Sequence, residues 1–135
     1  MRGKMNFSGL IGKTMTKVEK VKNKWYGDMI IFVSKNGEKY AMFHDYDCSE
    51  DVFIEDICGD LSDLVGNPIL RAEEASNNSH GDNNYHDSMT WTFYHLATIK
   101  GHVTIRWFGT SNGYYSEEVD FVKVAFPDDE RLNDY

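Results

Sequence analysis

The chain is short of several things. Two cysteines, ten residues apart, and two prolines stand among 135 residues. Two thiols make no disulfide framework, so the fold must rest on a core, and the count fits a reduced, cytoplasmic compartment. No apolar run approaches the roughly 18 residues of a membrane-spanning helix, so no membrane segment is expected. The opening MRGKMNFSGLIGK is charged but lacks the apolar block of a secretory signal. There is no GxSxG elbow, no phosphate-cradling glycine loop, and no CxxC or HxxxH spacing. Bases are scarce after residue 24. Residues 1–24 hold seven Lys or Arg against one Glu, +6, and the remainder holds seven against twenty-one acids, −14. A net charge of −8 argues against direct nucleic-acid binding, which needs a basic face. The split allows a basic segment lying on the protein's own acidic face, or two surfaces with different partners.

What is present is a β pattern. At 41% apolar and 14% aromatic, one domain over 1–135 can bury a core. Residues 7–12 read as one helical turn. Strands are expected at 14–21, 28–34, 38–46, 51–57, 68–75, 89–99, 102–109 and 116–126, by alternation or by short β-branched and aromatic runs. Asn36-Gly37 is a type I′ hairpin signal. Residues 59–68 read as a short helix, with Asp60 as N-cap, Gly66 as stop and Pro68 preventing continuation. Residues 76–88 form a long polar loop, and 1–6 and 127–135 are expected as flexible ends. The fold class is mainly β (α+β): an antiparallel sheet of about six to eight strands, curled or sandwich-like, with one or two short helices.

If Lys100-Gly101 form the turn of the clearest hairpin, Leu96 pairs with Ile105 and Tyr94 with Trp107 on a core face. Ala97 then pairs with Thr104, His95 with Arg106, and Phe93 with Phe108 on a mixed face.

The chemistry concentrates at 44–63, which carries eight Asp or Glu and no Lys or Arg, with one His and both cysteines. His44, Asp45 and Asp47 are weak metal candidates. Asp45, Asp47 and Ser49 match the first positions of a calcium loop, but Glu50 stands where that loop turns on Gly. Cys48 with His44 or His95 would make a thiol–imidazole pair if the fold joins them, and Cys58 reads as a small buried hydrophobe. No cofactor is expected. Arg106 and His95, with Asn112 and Tyr114, suit a small anionic ligand such as a signalling nucleotide, or Arg106 is a counter-ion to the 44–63 acids. The acidic run equally suits imitation of nucleic-acid phosphates.

The segments FHDYDCSEDVFIEDICGDLSDLVGNPILRAEE and TWTFYHLATIKGHVTIRWFGTSNGYYSEEVDF carry His-Asp-x-Asp-Cys, Ile-Glu-Asp-Ile-x-Gly-Asp-Leu, Ile-Arg-Trp-x-Gly and Ser-Asn-Gly-Tyr-Tyr-Ser. In these the chain resembles a family of small bacteriophage and prophage proteins with no assigned activity. The resemblance implies an accessory protein working in the host bacterial cytoplasm, of the kind that inhibits a host defence protein or ribonucleoprotein complex, as anti-CRISPR proteins do. Asp45, Asp47, Glu50, Asp51, Glu55 and Asp56 are then the expected partner contacts. Small-ligand capture at His95, Arg106, Asn112 and Tyr114 is the alternative, and a metal-dependent enzyme a second.

Overall fold

The computed structural model describes residues 5–47, 49–80, 88–113, 116–125 and 129–135. Eight strands form two antiparallel sheets. The first is built from β1 (Met15–Asn23), β2 (Gly27–Ser34), β3 (Lys39–Phe43) and β8 (Asp120–Lys123), in the order β1-β2-β3-β8. The second holds β4 (Asp51–Cys58), β5 (Arg71–His80), β6 (Ser88–Thr98) and β7 (Gly101–Ser111), in the order β4-β7-β6-β5. The sheets pack face to face and do not close into a barrel. The helices expected at 7–12 and 59–68 are single 3-10 turns, Phe7–Leu10 and Leu61–Leu64. Asp60 caps the second by accepting from the Ser62 N–H at 2.9 Å.

The core lies between the sheets. Ile30, Phe32, Tyr40 and Met42 from the first meet Ile54, Tyr94, Ile105 and Trp107 from the second, all buried. Burial of side chains this size stabilises by about 1.5–3 kcal/mol each. Trp107 also donates its indole N–H to Met42 Sδ at 3.2 Å.

The β6–β7 hairpin keeps the expected faces but not the expected pairs. Its loop is Ile99-Lys100, so Leu96 pairs with Val103, Tyr94 with Ile105, and Phe93 with Arg106. The Thr98 hydroxyl sets this turn by accepting the Lys100 N–H at 3.1 Å and donating to the Asp63 carbonyl. A two-residue shift preserves parity, so every side chain stays on its predicted face. The β2–β3 loop likewise holds three residues rather than two. Ser34 N–H donates to Glu38 O at 2.8 Å, and Gly37 takes a φ of 85°, the arrangement of a three-residue hairpin closed by a glycine.

Part of the region read as a long polar loop and part of the region read as a flexible end have defined places on the sheets. Residues 76–80 continue β5, with Asn77 opposite Trp91 and Asn78 opposite Thr90; the rest of the predicted loop, 81–87, lies outside the described residues. The C-terminal residues 129–135 are docked, not frayed. Leu132 is 1% exposed and packs with Tyr26, Met29, Ile31 and Val122 in a second core on the outside of the first sheet. Asn23 Nδ2 donates to Arg131 O at 2.6 Å, Lys24 N–H to Asp134 O at 3.0 Å, and Lys39 Nζ to Asn133 Oδ1 at 2.6 Å. The Arg131 guanidinium lies 4.3 Å from the Trp25 ring centre.

Candidate functional site

Strand alternation decides what each sheet shows to solvent. On the second sheet the odd residues of β6 and the even residues of β7 point outward. Trp91 and Phe108 are therefore neighbours, with ring centres 5.0 Å apart, and Phe53 on β4 lies 5.7 Å from Phe108. Phe93 follows in the next row, stacked at 6.3 Å with His95, which stacks at 6.1 Å with His102. All four hydrophobic rings are half-buried. The first sheet covers its outer face with the C-terminal segment. On the second sheet, no described helical turn or strand packs over these rings.

Charge rims this aromatic row. β4 is an edge strand, and Asp51, Glu55 and Asp56 on it are exposed. The register shifts between Ile54 and Asp56, so Glu55 and Asp56 straddle Arg106 on the facing strand. Arg106 Nε donates to Glu55 at 2.8 Å, which makes it a counter-ion to one acid of 44–63. At the other edge, Arg71 pairs with Glu73 at 2.9 Å and reaches His102 Nε2 at 3.0 Å. A bulge and exposed acids also keep an edge strand from pairing with another chain.

Among the described residues, the ion pairs of the N-terminal lysines are made outside the 44–63 run. Lys13 pairs with Glu38, Lys17 with Glu19, Lys22 with Asp28 and Lys24 with Asp134. Among the described residues, ion pairs of the 44–63 acids are Glu55–Arg106 and the buried Glu50–His44 contact.

Glu50 overturns its expectation as a partner contact because its side chain points inward. It accepts the Asp47 N–H at 3.1 Å and faces His44 Nε2 at 3.4 Å, with both side chains at most 2% exposed. His44 Nδ1 lies 2.7 Å from the Glu118 carbonyl and must donate its proton there, since a carbonyl only accepts. Tyr46 packs its ring edge-on to His44 and donates its hydroxyl to Val52 O at 2.5 Å, closing the pair off. These contacts tie residues 44–47 to Glu50 and to the start of β4. Asp45 and Asp47 remain at the surface while His44 faces in, so these three do not converge as ligands. Among the described residues no group of three His, Cys, Asp or Glu is placed to hold a metal ion.

Cys48 lies outside the described residues. Cys58 is exposed rather than buried, because the β4 bulge sets it opposite Thr104 on the outward face. Its thiol donates to Asp56 at 3.3 Å, and that carboxylate raises the thiol above its ordinary value. This is the reverse of an activated nucleophile.

Of the residues expected to bind an anion, the three described ones have separate surroundings. His95 Nδ1 lies 3.0 Å from Thr104 Oγ1, beside Thr104 rather than Arg106. Arg106 is held by Glu55, Asn112 sits in the turn past β7, and Tyr114 lies outside the described residues.

A polar feature unforeseen in the sequence lies on the inner side of the second sheet. Glu117 is 8% exposed, and its carboxylate accepts from Thr90 Oγ1 at 2.8 Å, Ser88 Oγ at 3.3 Å and the Ser111 hydroxyl. Gly109 permits this. A Cβ there would lie 2.9 Å from Glu117 Cβ, so only glycine lets residues 116–119 rest against β7.

No curated protein and no solved structure matches the chain. The family model of DUF7448, a domain of unknown function, matches residues 8–121, which takes in both sheets up to the start of β8, and the chain belongs to that family.

Proposed function

We infer that the protein works by binding another protein through the outer face of its second sheet, and that the partner presents a basic surface of the kind that otherwise holds nucleic acid. The observation that carries this is the asymmetry between the two outer faces. One is sealed by Leu132 and its neighbours, while the other leaves Phe53, Trp91 and Phe108 in one half-open row, with Phe93 in the next. An aromatic centre with a charged rim has the anatomy of a protein interface, where a few buried rings carry most of the affinity. The exposed rim acids Asp51, Glu55, Asp56 and Glu73 outnumber Arg106 and Arg71, which pair with two of them, so Asp51 and Asp56 leave the rim net negative, and charge complementarity then asks for Lys and Arg opposite. The resemblance to phage accessory proteins supports a host defence complex as the partner, inhibited by occupation of its nucleic-acid surface.

This reading moves the contacts along the chain. Asp51, Glu55 and Asp56 stay as rim charges, Glu50 leaves, and the rings become the anchors. The guanidinium needed for anion capture is held by Glu55, which disfavours the small-ligand alternative.

The test is co-purification from host extract at low salt, with wild type beside a Trp91→Ser/Phe108→Ser double variant and an Asp51→Asn/Asp56→Asn double variant. The ring variant should lose the partner, since anchors of this kind are worth about 2 kcal/mol or more each. The rim variant should weaken it and flatten its salt dependence. A partner retained equally by all three proteins overturns the proposal.

A further inference from the structure

Each sheet has two edges, and an edge strand offers unpaired N–H and C=O groups to any strand that meets it. Three of the four edges are blunted. β1 has a bulge between Met15 and Lys17 and carries exposed Lys17, Lys20 and Lys22. β4 has its own bulge and exposed acids, and Asp28 accepts the Ile54 N–H at 2.9 Å. β8 is four residues long, and Met5 N–H donates to its Phe121 carbonyl at 3.0 Å. β5 differs. The approach to it is covered, since Gly12 and Lys13 bond to Ile69 and the turn Phe7–Leu10 packs beside Ala72. From Ala75 to Ser79 every residue is exposed and uncharged, and none is proline. The register with β6 runs through without a bulge, and no described strand pairs with β5 on its other side.

The open segment is its own complement. In an antiparallel pair, facing residues share a side of the sheet. A two-fold at Asn77 meets that condition and centres the pair on 75–79. Asn77 then faces its own copy, Ser76 faces Asn78, and Ala75 faces Ser79, all small or neutral polar side chains. Glu73 and Glu74 fall outside the paired segment, whereas a two-fold at Glu74 would set like charges opposite each other. Nothing charged in 75–79 would select a foreign strand. Asn77 also lies opposite Trp91, which faces Phe108, which faces Phe53. The same two-fold therefore sets the aromatic rows of two copies end to end on one face.

We propose that two copies of the chain pair β5 to β5, antiparallel about a two-fold at Asn77, joining their second sheets into one of eight strands. Among the described residues this is the one open edge of each copy, so the pairing closes at a dimer and does not propagate. Five residues a side make a small interface, below the roughly 1,200 Å² of stable complexes, so a Kd of roughly 100 μM is expected. The pairing rests on the edge alone and stands independently of the docking proposed for the face.

The experiment is sedimentation equilibrium of the full chain at low salt, from about 10 μM to about 1 mM, a range that brackets the expected Kd tenfold on each side. Wild type should pass from monomer to dimer and stop there. Asn77→Lys and Asn77→Glu each place two like charges opposite each other at the two-fold, and each should raise the Kd by roughly fivefold. Mixed in equal amounts, the two variants set opposite charges there, and association should recover at least to the wild-type level. That recovery separates a contact centred on Asn77 from a general effect of charge. A wild type that stays monomeric at about 1 mM overturns the proposal and leaves the edge to an extended segment of another protein. Growth beyond the dimer overturns it as well. So does association of Asn77→Lys equal to that of wild type, or a mixture that associates no better than either variant alone. A dimer that Trp91→Ser/Phe108→Ser abolishes and Asn77→Lys leaves intact would place the contact on the face and contradict the edge.

Discussion

Replacing Leu132 by alanine tests whether the C-terminal segment is structural. Leu132 is 1% exposed and belongs to the small core with Tyr26, Met29, Ile31 and Val122. Leu→Ala at buried sites costs about 2–5 kcal/mol, the lower end applying where neighbours can close the gap. A segment lying on a sheet can settle inward, so about 2–3 kcal/mol is expected. The bonds from the Asn23 side-chain amide and the Lys24 N–H to the Arg131 and Asp134 carbonyls survive the change and keep the segment near its place. For a chain of 135 residues the unfolding entropy near Tm is about 0.28 kcal/mol/K, so Tm should fall by about 7–11 °C. Calorimetry and urea titration measure this directly. Phe53→Ser is the control, because a half-open cross-strand ring is worth about 1 kcal/mol or less. A Tm change in Leu132→Ala no larger than that of Phe53→Ser would refute the claim that the segment seals the first sheet.

Three further outcomes follow from single positions. Gly59 has a φ of 101°, and a Cβ there would lie 2.5 Å from His102 O, so Gly59→Ala should cost about 2 kcal/mol or more in urea unfolding. Glu38 accepts from Lys123 and Lys13, each at 3.0 Å, and these lysines lower its carboxyl from 4.5 to about 2. Its contribution is present above the unfolded value and is lost as pH falls through the folded one, so Glu38→Gln should flatten the stability profile between pH 4.5 and about 2; an unchanged acid limb contradicts this. Asp56→Asn should lower the Cys58 thiol and speed its alkylation at pH 8, read by peptide mass mapping, whereas an unchanged rate argues against the Asp56 contact.

The strands were legible because apolar alternation and aromatic runs are direct signals of a half-buried sheet. So was the mixed face of the β6–β7 hairpin, since parity survives a two-residue shift. The register itself was hidden by Thr98, whose hydroxyl fixes the turn through a contact with Asp63, thirty-five residues away in sequence. Residues 76–80 gave no strand signal, being Ser and Asn with one His; β6 supplies their order through its backbone. The C-terminal segment carries one apolar anchor, Leu132, among five charged residues from 128 to 134, so composition alone reads it as solvated. The acidic run divided for a reason no count could reveal. Glu50 lies at the turn entering β4 and faces His44, while Asp51, Glu55 and Asp56 follow the pleat and bulge outward. Glu117 stayed hidden because a Ser-Glu-Glu strand entry looks the same whether or not hydroxyls from β6 and β7 await it.

The most direct test of the central claim is residue-resolved hydroxyl-radical footprinting of the free protein. The account predicts labelling of Trp91, Phe108, Phe53 and Phe93 on the second sheet, with Met29 and Tyr26 on the first protected beneath residues 129–135. Protection of the four rings to the level of Trp107, or free oxidation of Met29, would contradict it.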